Sequence, residues 1–271
     1  VQLPPQRITA PGPARPSGAF PTARVLLRCL LRTWLVGAGF NTRGMQNIGL
    51  AYAIDPGLAQ LHRDPEALRL ARARYATHYN THPFWTPLLV GIFLGMERKI
   101  AKGLLEPDMF DSVRSTTVYT LSAIGDSLFG GSVLVLWSLG TACLVVSGQG
   151  ALAVALAALL FQGLIVFKTL TFWMGFQEGL TFLHRLGRWN LINWSQRIKL
   201  FNAVLLVVFW ALAWPGNITW YLWLPAGFAF GVVGMVLSAT GLSREILAAL
   251  AVAAYLGLPW LARLAGGLWP G

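Results

Sequence analysis

The sequence predicts an all-α integral membrane protein: a helical bundle with broken or re-entrant helices and an amphipathic N-terminal helix on the cytoplasmic side. Three observations carry this reading. Of 271 residues, 55% are hydrophobic and only 11% are charged, roughly half the charged share of a soluble domain. The apolar residues are gathered into runs, Ala151 to Phe167, Leu200 to Trp214, Ile218 to Gly241 and Ile246 to Trp269, each holding at most one charge. Such runs approach or meet the roughly 20 residues that cross a bilayer core. The net charge of +11 is also uneven: residues 1–103 hold 13 of the 21 Lys and Arg against four acids. A basic excess ahead of apolar runs places that part in the cytoplasm, beside anionic lipid. No nucleic-acid motif accompanies it, so nucleic acid is excluded as a partner.

The elements follow in chain order. Residues 1–22 are rich in Pro and read as a disordered leader. Residues 23–103 read as a helical region on the cytoplasmic or interfacial side, and 104–271 as the membrane domain, with about five or six membrane-embedded helices in all. From Arg24 onward, Arg24, Arg28 and Arg32 recur every fourth residue and line one helical face, while Leu and Trp cover the remainder. This is an interfacial helix with its Arg stripe toward headgroups, or the same helix packed on the protein's own membrane domain. Asp64, Pro65 and Glu66 form a strong helix start, cap, first residue and first-turn acid. The next apolar stretch, FWTPLLVGIFLGM, ends at Glu97, Arg98 and Lys99. It is too short to span straight through, so it re-enters or lies in the interface.

Several side chains could carry function. Asp126 stands among Gly125, Gly130 and Gly131 at the mouth of an apolar run. An ionised carboxylate at that depth costs about 2.5–3.5 kcal/mol unless paired or wetted. It must therefore face a cavity, a partner helix or a cation, or accept from backbone amides of a broken helix. Glu97 is either a solvated, salt-bridged helix end or part of a pathway. His78 and His82 have helical spacing but lack the Glu and third ligand of a zinc site, and Pro83 follows. Asn80 and Thr81 read as turn and cap residues. Glu178 could pair with Arg185. Cys29 and Cys143 lie far apart in apolar surroundings and read as packed thiols. No metal, cofactor or catalytic nucleophile is expected.

Three segments, MQNIGLAYAIDPGLAQL from Met45, HYNTHPFWTPLLVGIFLGME from His78 and AIGDSLFGG from Ala123, resemble in order and spacing the IID component of the mannose/fructose/sorbose family of phosphoenolpyruvate-dependent sugar phosphotransferase systems. The resemblance covers about residues 30–210. It implies a multi-pass subunit in the bacterial inner membrane, N-terminus cytoplasmic, that pairs with a IIC subunit to pass a hexose inward. Cytoplasmic IIA and IIB carriers then phosphorylate the sugar, so IID itself bears no phosphorylated residue. The implied contacts to the partner or sugar fall on Gly125, Asp126, Phe129, Glu97, Gln46, Asn47, Asn80 and Thr81. The chain departs from the family pattern around the G-D box: Thr116 to Ala123 reads TTVYTLSA in place of a Gly- and Pro-rich run, Gly130 replaces a Trp, and Leu134 and Val135 replace an Arg-Pro. A non-transporting, regulatory or docking relative that recruits phosphotransferase partners is the alternative function. A self-sufficient channel fits less well, because few polar residues line the spans.

Overall fold

A computed structural model gives the structure over residues 20–214 and at isolated positions between 225 and 257. The rest of the runs from Ile218 and Ile246, and the leader up to Ala19, lie outside the described residues. The chain divides into two compact units, Val1–Ala213 and Trp214–Gly271. In the second unit, Phe228 and Met235 are helical and exposed.

The first unit is built from α1 (Ala23–Arg32), a 3-10 turn (Thr33–Gly39), α2 (Asn47–Leu61), α3 (Pro65–Tyr75), α4 (Thr86–Ala101), α5 (Pro107–Gly125), a π-helical segment (Asp126–Val133), α6 (Leu134–Val146), α7 (Gly150–Glu178), α8 (Leu180–Gly187) and α9 (Leu191–Ala213). Three stretches are long and apolar enough to cross a membrane: Arg114–Val146, Gly150–Glu178 and Leu191–Ala213. They are buried by protein over only a small part of their apolar windows, as expected of lipid-facing helices. From α5 to α9 the helices are separated by turns at 147–149 and 188–190, by the π segment and by Gly179, where φ of +59° separates α7 from α8.

The N-terminal helix packs one side of its amphipathic pattern on the protein itself. Leu26, Cys29 and Leu30 are buried against α2, and burial pushes the Cys29 thiol up to about 11. Leu27, Leu31, Trp34 and Leu35 remain exposed, as do Arg24 and Arg28. Arg32 departs from the expected stripe. Pro56 lies inside α2 and has no N–H to offer the Tyr52 carbonyl. Arg32 Nη1 donates to that oxygen at 3.0 Å, and its guanidinium lies 4.2 Å from the centre of the Tyr52 ring.

The Asp64 start holds: its carboxylate accepts from Ala67 N at 2.8 Å, with Pro65 at the first helical position. The apolar stretch before Glu97 forms α4, and every residue from Thr86 to Glu97 is buried by the protein itself. Its closest neighbour is α7. A Cβ on Gly91 would come 2.2 Å from Phe172 O, and one on Gly175 would come 2.6 Å from Leu88 O, so the two backbones touch where no side chain fits.

Gly91→Ala should therefore lower stability by about 1–3 kcal/mol through overpacking. Gly163→Ala, at a position with open space around it, should change it little. Thermal unfolding of the two variants in detergent checks the pair.

Candidate functional site

The site is assembled from a buried anion outward. Glu97, fully buried near the end of α4, is held by three residues. His62 Nε2, just past α2, lies 2.8 Å from Oε2. From α3, Arg74 donates through Nε and Nη2 at 2.7–3.0 Å, and Tyr75 OH donates to Oε1 at 3.0 Å. Burial alone would raise the Glu97 carboxyl, but the bonds from His62 and Arg74 outweigh it and hold the group below its ordinary 4.5. Tyr75 is pushed well up by burial and by the Glu97 charge. The expectation of a solvated helix end is thus corrected: Arg74, His62 and Tyr75 enclose the carboxylate.

The end of α3 hands the chain to residues 76–85, which are not helical. His78 and His82 therefore share no helical face. Arg114 of α5, buried at 6% exposure, gathers this loop: it bonds the carbonyls of Arg74, Thr77 and His78 and the Thr77 hydroxyl. The same loop pairs with the MQN segment. Gln46 N donates to Tyr79 O at 2.8 Å, Tyr79 N donates to Gly44 O at 3.2 Å, and Thr81 N reaches Gln46 Oε1 at 3.4 Å. Asn47 accepts from Asn41 and donates to Ala76 O at 2.6 Å. Met45, at φ of +58°, sits between two bridge partners, Asn41 and Tyr79.

The far end of the loop reaches the G-D box. His82 stacks on Phe129 with centroids 5.3 Å apart, while Phe84, Trp85 and Phe167 meet the same ring edge-on at 4.9, 5.2 and 5.4 Å. Gly125 permits this approach, since a Cβ there would fall 2.4 Å from His82 Cβ and 2.7 Å from Trp85 Cδ1. Asp126 is exposed beside His82. Burial and the nearby Lys168 lower the His82 ring, while Asp126 raises it, and the balance is downward. One expectation changes here. Asn80 and Thr81 do not cap α4: the Thr81 hydroxyl is buried without a partner, Asn80 makes no side-chain bond, and the turn is held by His82 Nδ1 accepting from Phe84 N at 3.3 Å.

Sequence reasoning also missed a polar cluster behind the G-D box. A π segment shifts the backbone bonding from four residues to five and leaves local carbonyls in need of donors. Ser127 O lies 2.8 Å from Ser132 Oγ and 2.9 Å from Ser195 Oγ, and Asn202 Nδ2 donates to Ser132 O at 2.9 Å. Lys199 Nζ donates to Ser127 Oγ at 3.2 Å. Ser195, Lys199 and Asn202 recur every three or four residues along α9 and lie at the start of its apolar run, a signal that marks one polar face. From these residues and Lys168, the apolar remainders of α6, α7 and α9 extend about 21, 27 and 21 Å at 1.5 Å per residue.

The geometry thus joins the three motif segments at one place, against the three membrane-crossing stretches. A model of the family described as "PTS system mannose/fructose/sorbose family IID component" matches residues 22–214. The chain belongs to this IID family. Among relatives, the mannose-specific EIID component of Escherichia coli K12 is 26% identical over 121 residues, 44% of this chain and 43% of that protein. The fructose permease IID component of Bacillus subtilis 168 is 24% identical over 114 residues, 41% of each chain. The match covers less than half the length of each. In fold, the IID chain is similar to a solved membrane protein at a TM-score of 0.69, with 19% identity, 89% of this chain and 98% of that one. It also resembles a chain in the complex of the mannose transporter ManYZ with microcin E492, at a TM-score of 0.52, 19% identity, 88% of this chain and 96% of that one.

Of the contact residues implied by the IID resemblance, Gln46, Thr81, Gly125, Asp126 and Phe129 lie along this convergence, with Asn47 and Asn80 at its edge and Glu97 behind it. Glu97→Gln leaves Arg74 and His62 buried around a neutral amide and should cost about 3–5 kcal/mol. Because the Glu97 carboxyl is lowered by folding, its contribution is complete above about 4.5 and falls away as pH drops below that toward its folded value. Acid titration of thermal stability should show this loss in the parent and a flatter profile in the variant.

Proposed function

We propose that this chain is the IID membrane subunit of a mannose-type sugar phosphotransferase system, pairing with IIC to carry a hexose inward for phosphorylation by cytoplasmic IIA and IIB. The observation that carries the reading is the convergence of the Gln46, His82 and Asp126 segments on one wall at the head of three apolar helices. The family membership and relatives named as mannose and fructose transport components support it over the docking alternative. This wall holds amide, imidazole and carboxylate groups among aromatic rings, the chemistry that meets either a polar partner helix or sugar hydroxyls. The chain's part is to bind and position; phosphoryl transfer belongs to the soluble carriers. In this reading the protein lies in the bacterial inner membrane with residues 23–103 on the cytoplasmic face, where their basic excess meets anionic lipid.

Cells carrying the complete IIA, IIB, IIC and IID set should lose hexose uptake and phosphorylation when this chain is deleted; unchanged uptake refutes the assignment. Asp126→Asn should leave the protein in the membrane and lower uptake or IIC co-purification, whereas full activity removes Asp126 from both roles. A reporter fused after Lys102, an exposed residue at the end of α4, should read out on the cytoplasmic side. A periplasmic signal would reverse the orientation.

A further inference from the structure

Lys168 has no use in the structure described so far. It lies within a membrane-crossing stretch, yet its side chain is 4% exposed. Its ammonium sits 3.7 Å from the centre of the Trp34 ring and 5.4 Å from that of Phe84. Among the described residues it has neither a hydrogen bond nor an acid within ion-pair distance. The acids that do pair are committed elsewhere: Glu97 to His62 and Arg74, Glu178 to Arg185, Asp55 to Arg72 and Glu66 to Arg69. Asp126 and Lys168 both act electrostatically on His82, but no ion pair joins them.

A buried lysine with only two aromatic faces for company is an incomplete electrostatic site. Its surroundings are incomplete as well. Trp85 Nε1 and Thr81 Oγ1, on the neighbouring loop, are buried without partners, and Trp34, Gly130 and Asp126 are exposed. Gly130 has no atom closer than 4.0 Å to a built Cβ, that atom being His82 Nε2, so another helix can approach the backbone there closely.

We propose that Lys168 is the cationic half of an ion pair between subunits, taking a carboxylate from a helix of the membrane partner that docks on the wall of Trp34, Phe84 and Gly130. This rests on the reading that the chain works with a second membrane subunit. One cation enclosed by rings matches one carboxylate; a lipid phosphate, with three acceptor oxygens, is served by clusters of donors on an open surface. The aromatic wall supports the ammonium while the partner is absent, and the carboxylate replaces water when it arrives.

Lys168→Met keeps the aliphatic stem and removes the charge. Purified alone, this variant should keep its helical circular dichroism and melt at or above the parent temperature, because an uncompensated buried cation has been deleted. Co-expressed with an affinity-tagged IIC subunit from the same genome, it should bind about thirtyfold or more weakly, and Lys168→Arg should restore most of the association. Unchanged binding of Lys168→Met to IIC overturns the proposal, as does a lowered melting temperature of the isolated variant, which would mark an internal role. Native mass spectrometry showing loss of a bound anionic phospholipid with IIC binding intact would assign the cation to lipid and also overturn it. Failure of the parent chain itself to associate with IIC would refute the assignment under Proposed function, whatever Lys168 does.

Discussion

A carboxylate with no access to water dictates much of this fold. Glu97 has to be matched on both oxygens, and the donors that match it come from the end of α2 and the last turn of α3. Those bonds fix where α3 stops against α4. The loop leaving α3 at Ala76 is then presented to Arg114, which holds the carbonyls of Thr77 and His78 along with that of Arg74, and to the Gln46 segment, which pairs with Tyr79. His82 and Trp85 are thereby delivered to Gly125 and Phe129. Removing a partner from a buried charged set is far more damaging than never having had it, so the network locks this geometry more than it adds net stability.

The second constraint is the π segment from Asp126 to Val133. Its five-residue spacing widens the helix where α5 passes into α6 and releases carbonyls that a membrane helix cannot leave bare. Ser132, Ser195 and Asn202 meet that need from within the segment and from α9. The same irregularity leaves Asp126 and Gly130 exposed while Leu128 and Phe129 are buried. Motif and membrane helices are thus joined through backbone hydrogen bonding as well as apolar packing.

Much of this was legible in the sequence, and the reasons for the rest are physical. The Asp64 cap depends on residues adjacent in sequence, so spacing revealed it. The lipid-facing runs declared themselves by length, and the order of the MQN, HYNTHP and GD segments identified the family. The character of α4 was not legible, because an apolar stretch of its length reads alike in lipid, at an interface or inside protein. Arg114, Ser195 and Asn202 were missed since each serves carbonyls 36 to 70 residues away, and sequence spacing carries no trace of such pairings. Arg32 looked like one member of an arginine stripe, and only the carbonyl left unpaired by Pro56 explains its inward turn.

These constraints share an outcome: a rigid wall of loop and broken helix at the head of the membrane helices, with Asp126, His82, Gly130 and Lys168 set along it. In the functional account, that wall is where the second membrane subunit docks. Cryo-electron microscopy of the chain bound to its IIC subunit in lipid nanodiscs tests this most directly. The account predicts IIC side chains in contact with Asp126, Gly130 and Phe84, with the π segment intact. Lipid density covering that wall, with IIC bound on another face, would contradict it.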